Sequence, residues 1–298
     1  MTVQIQKSFT LFGHIHPAPR LPSGLYIVAT PIGNLGDISI RALATLAASD
    51  MILAEDKRIS KGLMTHYGIK TKMVSYHEHN AEAMRPEIMD KLAAGQVIAQ
   101  ISDAGTPLIS DPGFKLVEAA LETSQRVVPI PGASAILTAL VGAGLPTDKF
   151  YFEGFLPNKS SERRRRIREL EMIPGTLVFF EAPHRVQETL TDLADVLGDR
   201  PAAAARELTK KFEEIRRGSL GDLAKAYIEG AEIRGEFVLL VGASVKDATS
   251  LTDADIDIKL RDALAVYSVK DAAAIVSADL GLPKRQVYAR ALLLQRDT

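Results

Sequence analysis

Residues able to do chemistry gather in a few short loops of this chain. Ser102-Asp-Ala-Gly-Thr-Pro-Leu-Ile-Ser-Asp-Pro-Gly113 places two Asp, two Gly and two Pro within a dozen positions. An aspartate in such a loop accepts hydrogen bonds from an ammonium group or a ribose hydroxyl; an ornate turn with Asp caps is the plainer reading. Thr30-Pro-Ile-Gly-Asn-Leu-Gly36 has two glycines and a proline, which let a ligand approach the backbone closely or simply turn the chain. Pro129-Ile-Pro-Gly-Ala-Ser134 precedes a predicted helix whose free N–H groups could hold a polar group, or whose first turn Ser134 merely caps. Neither G-x-G-x-x-G nor a phosphate-loop G-K-[ST] occurs.

Cations stand where helix dipoles disfavour them. Glu55-Asp-Lys-Arg58 and Glu181-Ala-Pro-His-Arg185 put Lys57, Arg58, His184 and Arg185 in predicted first helical turns. That placement suits an anionic ligand such as nucleic-acid phosphates; salt bridges to Glu55, Asp56 or Glu181 explain it equally well. The run Arg163, Arg164, Arg165 and Arg166 sits in a predicted helix with Glu162, Glu169 and Glu171. A solvated face is its usual meaning, but four adjacent arginines outnumber the local carboxylates, and phosphate contact is the second reading. Tyr76-His-Glu-His-Asn80, read as a strand, would point alternate residues the same way; no further ligand cluster joins it, so a metal is not expected.

The 298 residues carry 36 Lys+Arg against 37 Asp+Glu, a formal net charge of −1, which excludes a protein coated in positive charge but not a local basic patch. The absence of cysteine excludes disulfides, thiolate metal sites and thiol nucleophiles, and fits a reducing cytoplasm. Residues 1–24, with Pro17, Pro19 and Pro22, read as an extended or frayed lead-in without a targeting core. Val127 to Thr147 is uncharged over nearly a membrane span, but its prolines and glycines favour a buried strand, a turn and a small-residue helix. A soluble, cytoplasmic protein is expected.

From Leu25 onward short apolar runs alternate with stretches of helical period, Asp37 serving as an expected N-cap. That alternation predicts an α/β fold with a mostly parallel sheet over residues 25–146. The pattern restarts for a second half of α+β character over 147–243. A polar linker over Ser244 to Thr252 leads to three helical segments over 253–298. Ligands of open α/β sheets gather at the carboxyl ends of strands, where the loops above fall.

In this order, Val28-Ala-Thr-Pro-Ile-Gly-Asn-Leu-Gly-Asp37, Ala54-Glu-Asp56, Tyr76-His-Glu-His-Asn80, Ser102 to Gly113, Pro131-Gly-Ala-Ser134 and Phe179-Phe-Glu-Ala-Pro-His-Arg185 closely resemble one family. It is the bacterial 16S rRNA (cytidine(1402)-2'-O)-methyltransferases, a branch of the tetrapyrrole methylase superfamily; the resemblance spans roughly Leu25 to Gly242 and weakly the helical tail. It implies two α/β domains with S-adenosylmethionine in the cleft between them, usually in a homodimer, and 16S rRNA of the small ribosomal subunit as substrate. Pro31 stands at the family's first-loop proline. Ala104, Gly105 and Thr106 stand where relatives have Gly-Gly-Asp before a proline, so the acid is displaced to Asp103. Ser134 and Ala135 follow Pro131-Gly132 in a further cofactor loop. Glu181 replaces a common Met and would make a backbone contact, as would Leu208; Lys57 replaces an expected Thr.

A sulfonium methyl is already activated, so alignment of the ribose 2'-oxygen is the main task and no metal is required. Asp56, Glu181 and His184 are chemically able to take the hydroxyl proton, and the sequence does not choose among them. Gly105→Val is expected to damage cofactor binding more than folding. Two other readings are a methylase of a small molecule such as a tetrapyrrole, and a non-catalytic rRNA-binding protein. The run Arg163 to Arg166 and the cations at helix starts weigh against the first, and the elaborate loop set and near-neutral net charge against the second.

Overall fold

The computed structural model describes residues 7–244, 253–280 and 282–296. Near the amino end, β1 (Ser8–Leu11) and β2 (His14–Pro17) pair antiparallel across a turn at Phe12 and Gly13, both at positive φ, as a two-residue hairpin turn requires. Phe9 is buried in the neighbouring core, and Lys7 Nζ donates to the carbonyls of Ala48 and Ser49 and to Asp50. The lead-in is therefore an ordered hairpin from Ser8 rather than a frayed segment; its prolines end β2 and follow it. Residues 1–6 lie outside the described residues.

The first sheet comprises β3 (Gly24–Val28), β4 (Met51–Ala54), β5 (Met73–Ser75), β6 (Val97–Ile101) and β7 (Val127–Ile130). All pairings are parallel, in the order β5-β4-β6-β3-β7. Alternate residues feed two cores, as the period of a strand demands. Tyr26, Val28, Ile52 and Ala99 face α1 (Ile40–Ala48) and α2 (Lys57–His66). Leu25, Ile27, Leu53 and Ile98 face α3 (Glu78–Ala93) and α4 (Phe114–Glu122). The N-cap of α1 is Ser39, whose Oγ accepts from the Ala42 N–H at 3.1 Å. Asp37 instead closes a short turn, Leu35–Asp37, that Asn34 caps, which corrects the expected cap by two residues.

Helix α5 (Ala135–Ala143) follows β7 and ends the uncharged stretch, which is thus a strand, a turn and a helix. Among the described residues no helix is long and apolar enough to cross a membrane. The second sheet contains β8 (Phe150–Phe155), β9 (Thr176–Glu181), β10 (Pro201–Arg206), β11 (Glu214–Ser219) and β12 (Phe237–Val241), in the order β11-β10-β12-β9-β8. Only β8 and β9 run parallel, the mixed character expected of this half. One face packs on α6 (Ser160–Leu170), α7 (Val186–Leu197) and α8 (Leu220–Ile228). The other packs on α5, through Ala139, Leu140 and Ala143. Because the last helix of the first half covers the second sheet, residues 1–242 form one compact unit.

Residues 243–298 form a second unit. In it α9 (Asp253–Leu264), α10 (Val269–Leu280) and α11 (Lys284–Arg296) enclose their own core of Ile256, Leu260, Val276, Val287 and Leu294. Most of the expected linker, residues 245–252, lies outside the described residues.

Candidate functional site

Three loops at the carboxyl ends of the first sheet are tied together by backbone. Thr30 donates its N–H to the Gly105 carbonyl at 2.9 Å, and Gly105 donates back to Thr30 at 3.1 Å. Gly105 has φ +82°, and a Cβ there would lie 3.3 Å from Ile32 Cγ2. The Thr106 hydroxyl donates to the Ala133 carbonyl at 3.4 Å. A Cβ on Gly132 would lie 3.0 Å from Ala29 Cβ, so glycine lets the third loop press against the end of β3. Ser134 caps α5, accepting from the Leu137 N–H at 3.4 Å. Ile32, Ala133, Ala135, Phe180 and Leu208 belong to one apolar cluster. Pro31, Gly105, Thr106, Ser134, Ala135 and Leu208 are thereby carried on loops that converge.

Beside them lies an open cleft of about 800 Å³. Thr30, Pro31, Ile32, Ser102, Asp103 and Ala104 form one wall, and the face of α2 from Arg58 to His66 forms another. Lys210 and Glu236, from loops of the second sheet, complete it. The Lys210 stem lies across Gly33, where a Cβ would collide with its Cγ. Its ammonium is held by Glu207 at 2.8 Å and Glu236 at 2.9 Å. The Asn34 N–H donates to Thr209 Oγ1 at 3.2 Å, so the first-strand loop docks on the loop after β10. Sequence reasoning missed Ser60, Lys61, His66, Lys210 and Glu236. Helical spacing along α2 could have suggested its members, but Lys210 and Glu236 carry no local signal.

Strain accumulates in these loops. Leu108 (φ 76°) and Ser110 (φ 60°) follow β6, and Glu207 (φ 48°) and Thr209 (φ 65°) flank Leu208. Left-handed backbone costs a non-glycine residue about 1–2 kcal/mol, and such strain persists where surrounding structure holds it in place.

The acidic groups beside the cleft divide in two. Burial, then the charges of Asp111 and Asp103, push the Glu55 carboxyl up. Burial raises Asp103 and Asp111 as well, with Asp56 adding to the effect on Asp103 and Asp103 to that on Asp111. Asp56 moves the other way, to about 2, because the Arg58 guanidinium and its backbone N–H both donate to the carboxylate. Asp103 Oδ1 accepts from the Asp56 N–H at 3.0 Å, locking the ends of β4 and β6 together.

Other expected residues lie elsewhere or are already engaged. Glu181 is buried on the α7 side of β9; its Oε2 accepts from the Thr189 hydroxyl at 2.6 Å and its Oε1 from the Ala182 N–H at 2.9 Å. It is a structural acid, which removes it from the candidate bases. Arg163 is 1% exposed and bonds Asp192 at 2.6 Å; Arg164 pairs with Asp192 and Asp195, and Arg166 with Glu153 and Glu169. The reading of this run as four phosphate contacts is corrected: carboxylates from α7 and β8, distant in sequence, take up three of its arginines. Arg165 alone of the four is exposed. Arg185 turns back to Asn158 Oδ1 and to the carbonyls of Leu156 and Pro157, clamping the turn after β8. Lys57, Arg58 and His184 are exposed. His77 is the N-cap of α3 and Glu78, His79 and Asn80 are helical, so the alternation that would align two histidines is absent. Among the described residues no group of three or more His, Asp or Glu could hold a metal ion.

Paired sheets with convergent, strained loops at the strand ends make this an α/β protein with a cleft of the size that small-molecule sites have. The family model of the Tetrapyrrole (Corrin/Porphyrin) Methylases matches residues 24–224, and that of the RsmI C-terminal HTH domain matches residues 250–295. A ribosomal RNA small subunit methyltransferase I of Mesorhizobium japonicum is 47% identical over 283 residues, covering 95% of each chain. Its namesake in Synechocystis is 45% identical over 92% of this chain and 99% of its own. Uroporphyrin-III C-methyltransferase from Thermus thermophilus, solved in complex with S-adenosylhomocysteine, shares the fold at TM-score 0.53 and 17% identity, covering 74% of this chain and 97% of its own. The chain belongs to the tetrapyrrole methylases, in the branch of the small-subunit ribosomal RNA methyltransferases I.

Proposed function

We propose that the cleft takes S-adenosylmethionine and that the protein methylates the ribose 2'-oxygen of cytidine 1402 in 16S rRNA of the small ribosomal subunit. The observation that carries this reading is the convergence of the 30–32, 102–106, 131–135 and 206–209 loops, in a chain whose relatives are small-subunit rRNA methyltransferases. The residues present fit such a donor. Gly105 and Gly132 keep the backbone bare, and Ile32, Ala133 and Leu208 supply apolar surface.

When bound, the sulfonium compound brings an activated methyl group, and the chain's own contribution is alignment. The Thr30–Gly105 bridge fixes two loops in register, so a ligand held by either is held by both. Of the cations singled out in the sequence for RNA contact, Lys57, Arg58 and Arg165 are exposed and free to meet RNA phosphates, with Arg58 drawn partly to Asp56. A homodimer is part of this reading: β8 is an edge strand, and Phe150, Tyr151 and Phe155 on it are exposed. Action in the cytoplasm, without a metal, completes it.

The test is primer extension at low nucleotide concentration on 16S rRNA from cells lacking the protein. Loss of the stop at cytidine 1402, restored by the intact gene, is the expected result; a stop that persists without the protein counts against the reading.

A further inference from the structure

The chemistry proposed above leaves open which group receives the proton of the acceptor hydroxyl, and the structure narrows the choice. Asp56 is committed to Arg58, with the Arg58 N–H at 2.7 Å from its Oδ1 and the guanidinium at 2.6 Å from its Oδ2. Glu181 is buried with both oxygens engaged, and Arg185 Nε stands 3.4 Å away. His184 is exposed on the turn Pro183–Arg185 and is not part of the cleft wall. Of the titratable groups that do line the cleft, Glu236 has a 78% exposed side chain and is paired with Lys210, and His66 is exposed at the far end of α2. Asp103 remains.

We propose that Asp103 is the proton acceptor of the methyl transfer, its Oδ2 taking the proton of the ribose hydroxyl. The proposal rests on the methyltransferase reading above. Oδ1 is fixed by the Asp56 N–H at 3.0 Å, which orients the carboxylate, and no described residue donates to Oδ2. The charged groups around Asp103 are the carboxylates of Glu55, Asp56 and Asp111 and the guanidinium of Arg58; the Asp56 charge favours its protonated form, and the Asp56 N–H and Arg58 oppose it. Burial, with the charge of Asp56, gives it a higher proton affinity than a free aspartate, the direction a base requires. Ser60, on the first turn of α2, lines the same cleft; it is 4% exposed and its hydroxyl has no hydrogen-bond partner. A buried hydroxyl left unspent in that wall is available to an incoming polar group. In the transfer, a lone pair of the 2'-oxygen forms the new O–CH₃ bond while the S–CH₃ bond breaks with its electron pair staying on sulfur. The O–H proton passes to Asp103 and from there to solvent, so charge and atoms balance.

Asp103→Asn keeps an acceptor for the Asp56 N–H and removes the base. Calorimetric titration with S-adenosylmethionine should give an affinity within about threefold of wild type. At saturating donor, single-turnover transfer to small subunits from cells lacking the protein should fall by roughly 10²–10⁴-fold, the usual contribution of a positioned base. The wild-type rate should rise with pH to a plateau, and that limb should vanish in the variant. Lost donor affinity with an unchanged saturated rate would make Asp103 a donor ligand and overturn the proposal, as would a variant that keeps both rate and limb. Should Asp103→Asn fail to fold, Asp103→Glu is expected to keep the limb at a reduced rate, and its disappearance there would also overturn the proposal. A wild-type protein that binds donor but transfers nothing overturns the methyltransferase reading itself, and this proposal with it.

Discussion

Thr30 and Gly105 exchange both of their backbone hydrogen bonds, at 2.9 and 3.1 Å, across loops that leave different strands of one sheet. The bridge sets the rim of the cleft, and Gly105 holds it from a left-handed conformation at φ +82°.

Gly105→Ala should therefore cost about 1–2 kcal/mol of stability, from the backbone conformation. Gly105→Val, β-branched, should cost more and press on Ile32. Both variants should bind S-adenosylmethionine more weakly. The left-handed φ of Gly105 sets this folding penalty beside the larger loss of binding that the sequence leads one to expect for valine. Urea unfolding beside calorimetric titration checks both, and an alanine variant as stable as wild type would contradict the backbone argument.

Arg163→Ala should destabilise the protein by about 1–3 kcal/mol, because buried Asp192 would lose its shortest ion pair and keep only Arg164 and Ser160. Arg165→Gln should stay within about 0.5 kcal/mol of wild type. Denaturant midpoints compare them directly. Equal midpoints would mean that the Arg163–Asp192 pair contributes little.

RNA binding should respond to the other cations. Lys57→Gln and Arg165→Gln should each flatten the salt dependence of binding to the small subunit, by roughly 0.7–0.9 in log–log slope for each phosphate that the variant no longer neutralises. Donor affinity should not change. Filter binding over a salt series reads the slope, and parallel lines for wild type and both variants would place the RNA elsewhere.

The pH dependence of stability has a defined sign. Asp103 binds its proton more tightly folded than unfolded, so its contribution is present below the ordinary aspartate range and is lost as pH rises through the folded value. Glu55 and Asp111 act in the same direction. Relative to Asp103→Asn, the wild type should thus lose stability as pH rises above the ordinary carboxylate range. Thermal melts of the two proteins from acid to neutral pH test this; a difference that stays constant or reverses would contradict it.

The alternation of strands and helices was readable because buried parallel strands are continuous apolar runs, as in Met51 to Ala54 and Val97 to Ile101. The loops at the cleft were readable because glycine and proline mark sharp strand-end turns. Other features depend on partners far along the chain. Asp192 and Asp195 sit about eight helical turns' worth of sequence beyond the arginines they neutralise, so local charge counting found too few carboxylates. Glu181 looked available until the phase of β9 turned it toward Thr189. Leu108, Ser110, Glu207 and Thr209 adopt left-handed backbone without being glycine, which no local rule anticipates.

The most direct measurement is methyl transfer by the purified protein to small subunits from cells lacking it, with isotopically labelled S-adenosylmethionine and mass spectrometry of the nucleosides released from the cytidine 1402 fragment. The label should appear as a 2'-O-methyl group on the ribose of that cytidine, one per subunit, and Gly105→Val should lower its yield at limiting donor. Label on the base, at another nucleotide, or absent altogether would contradict the account.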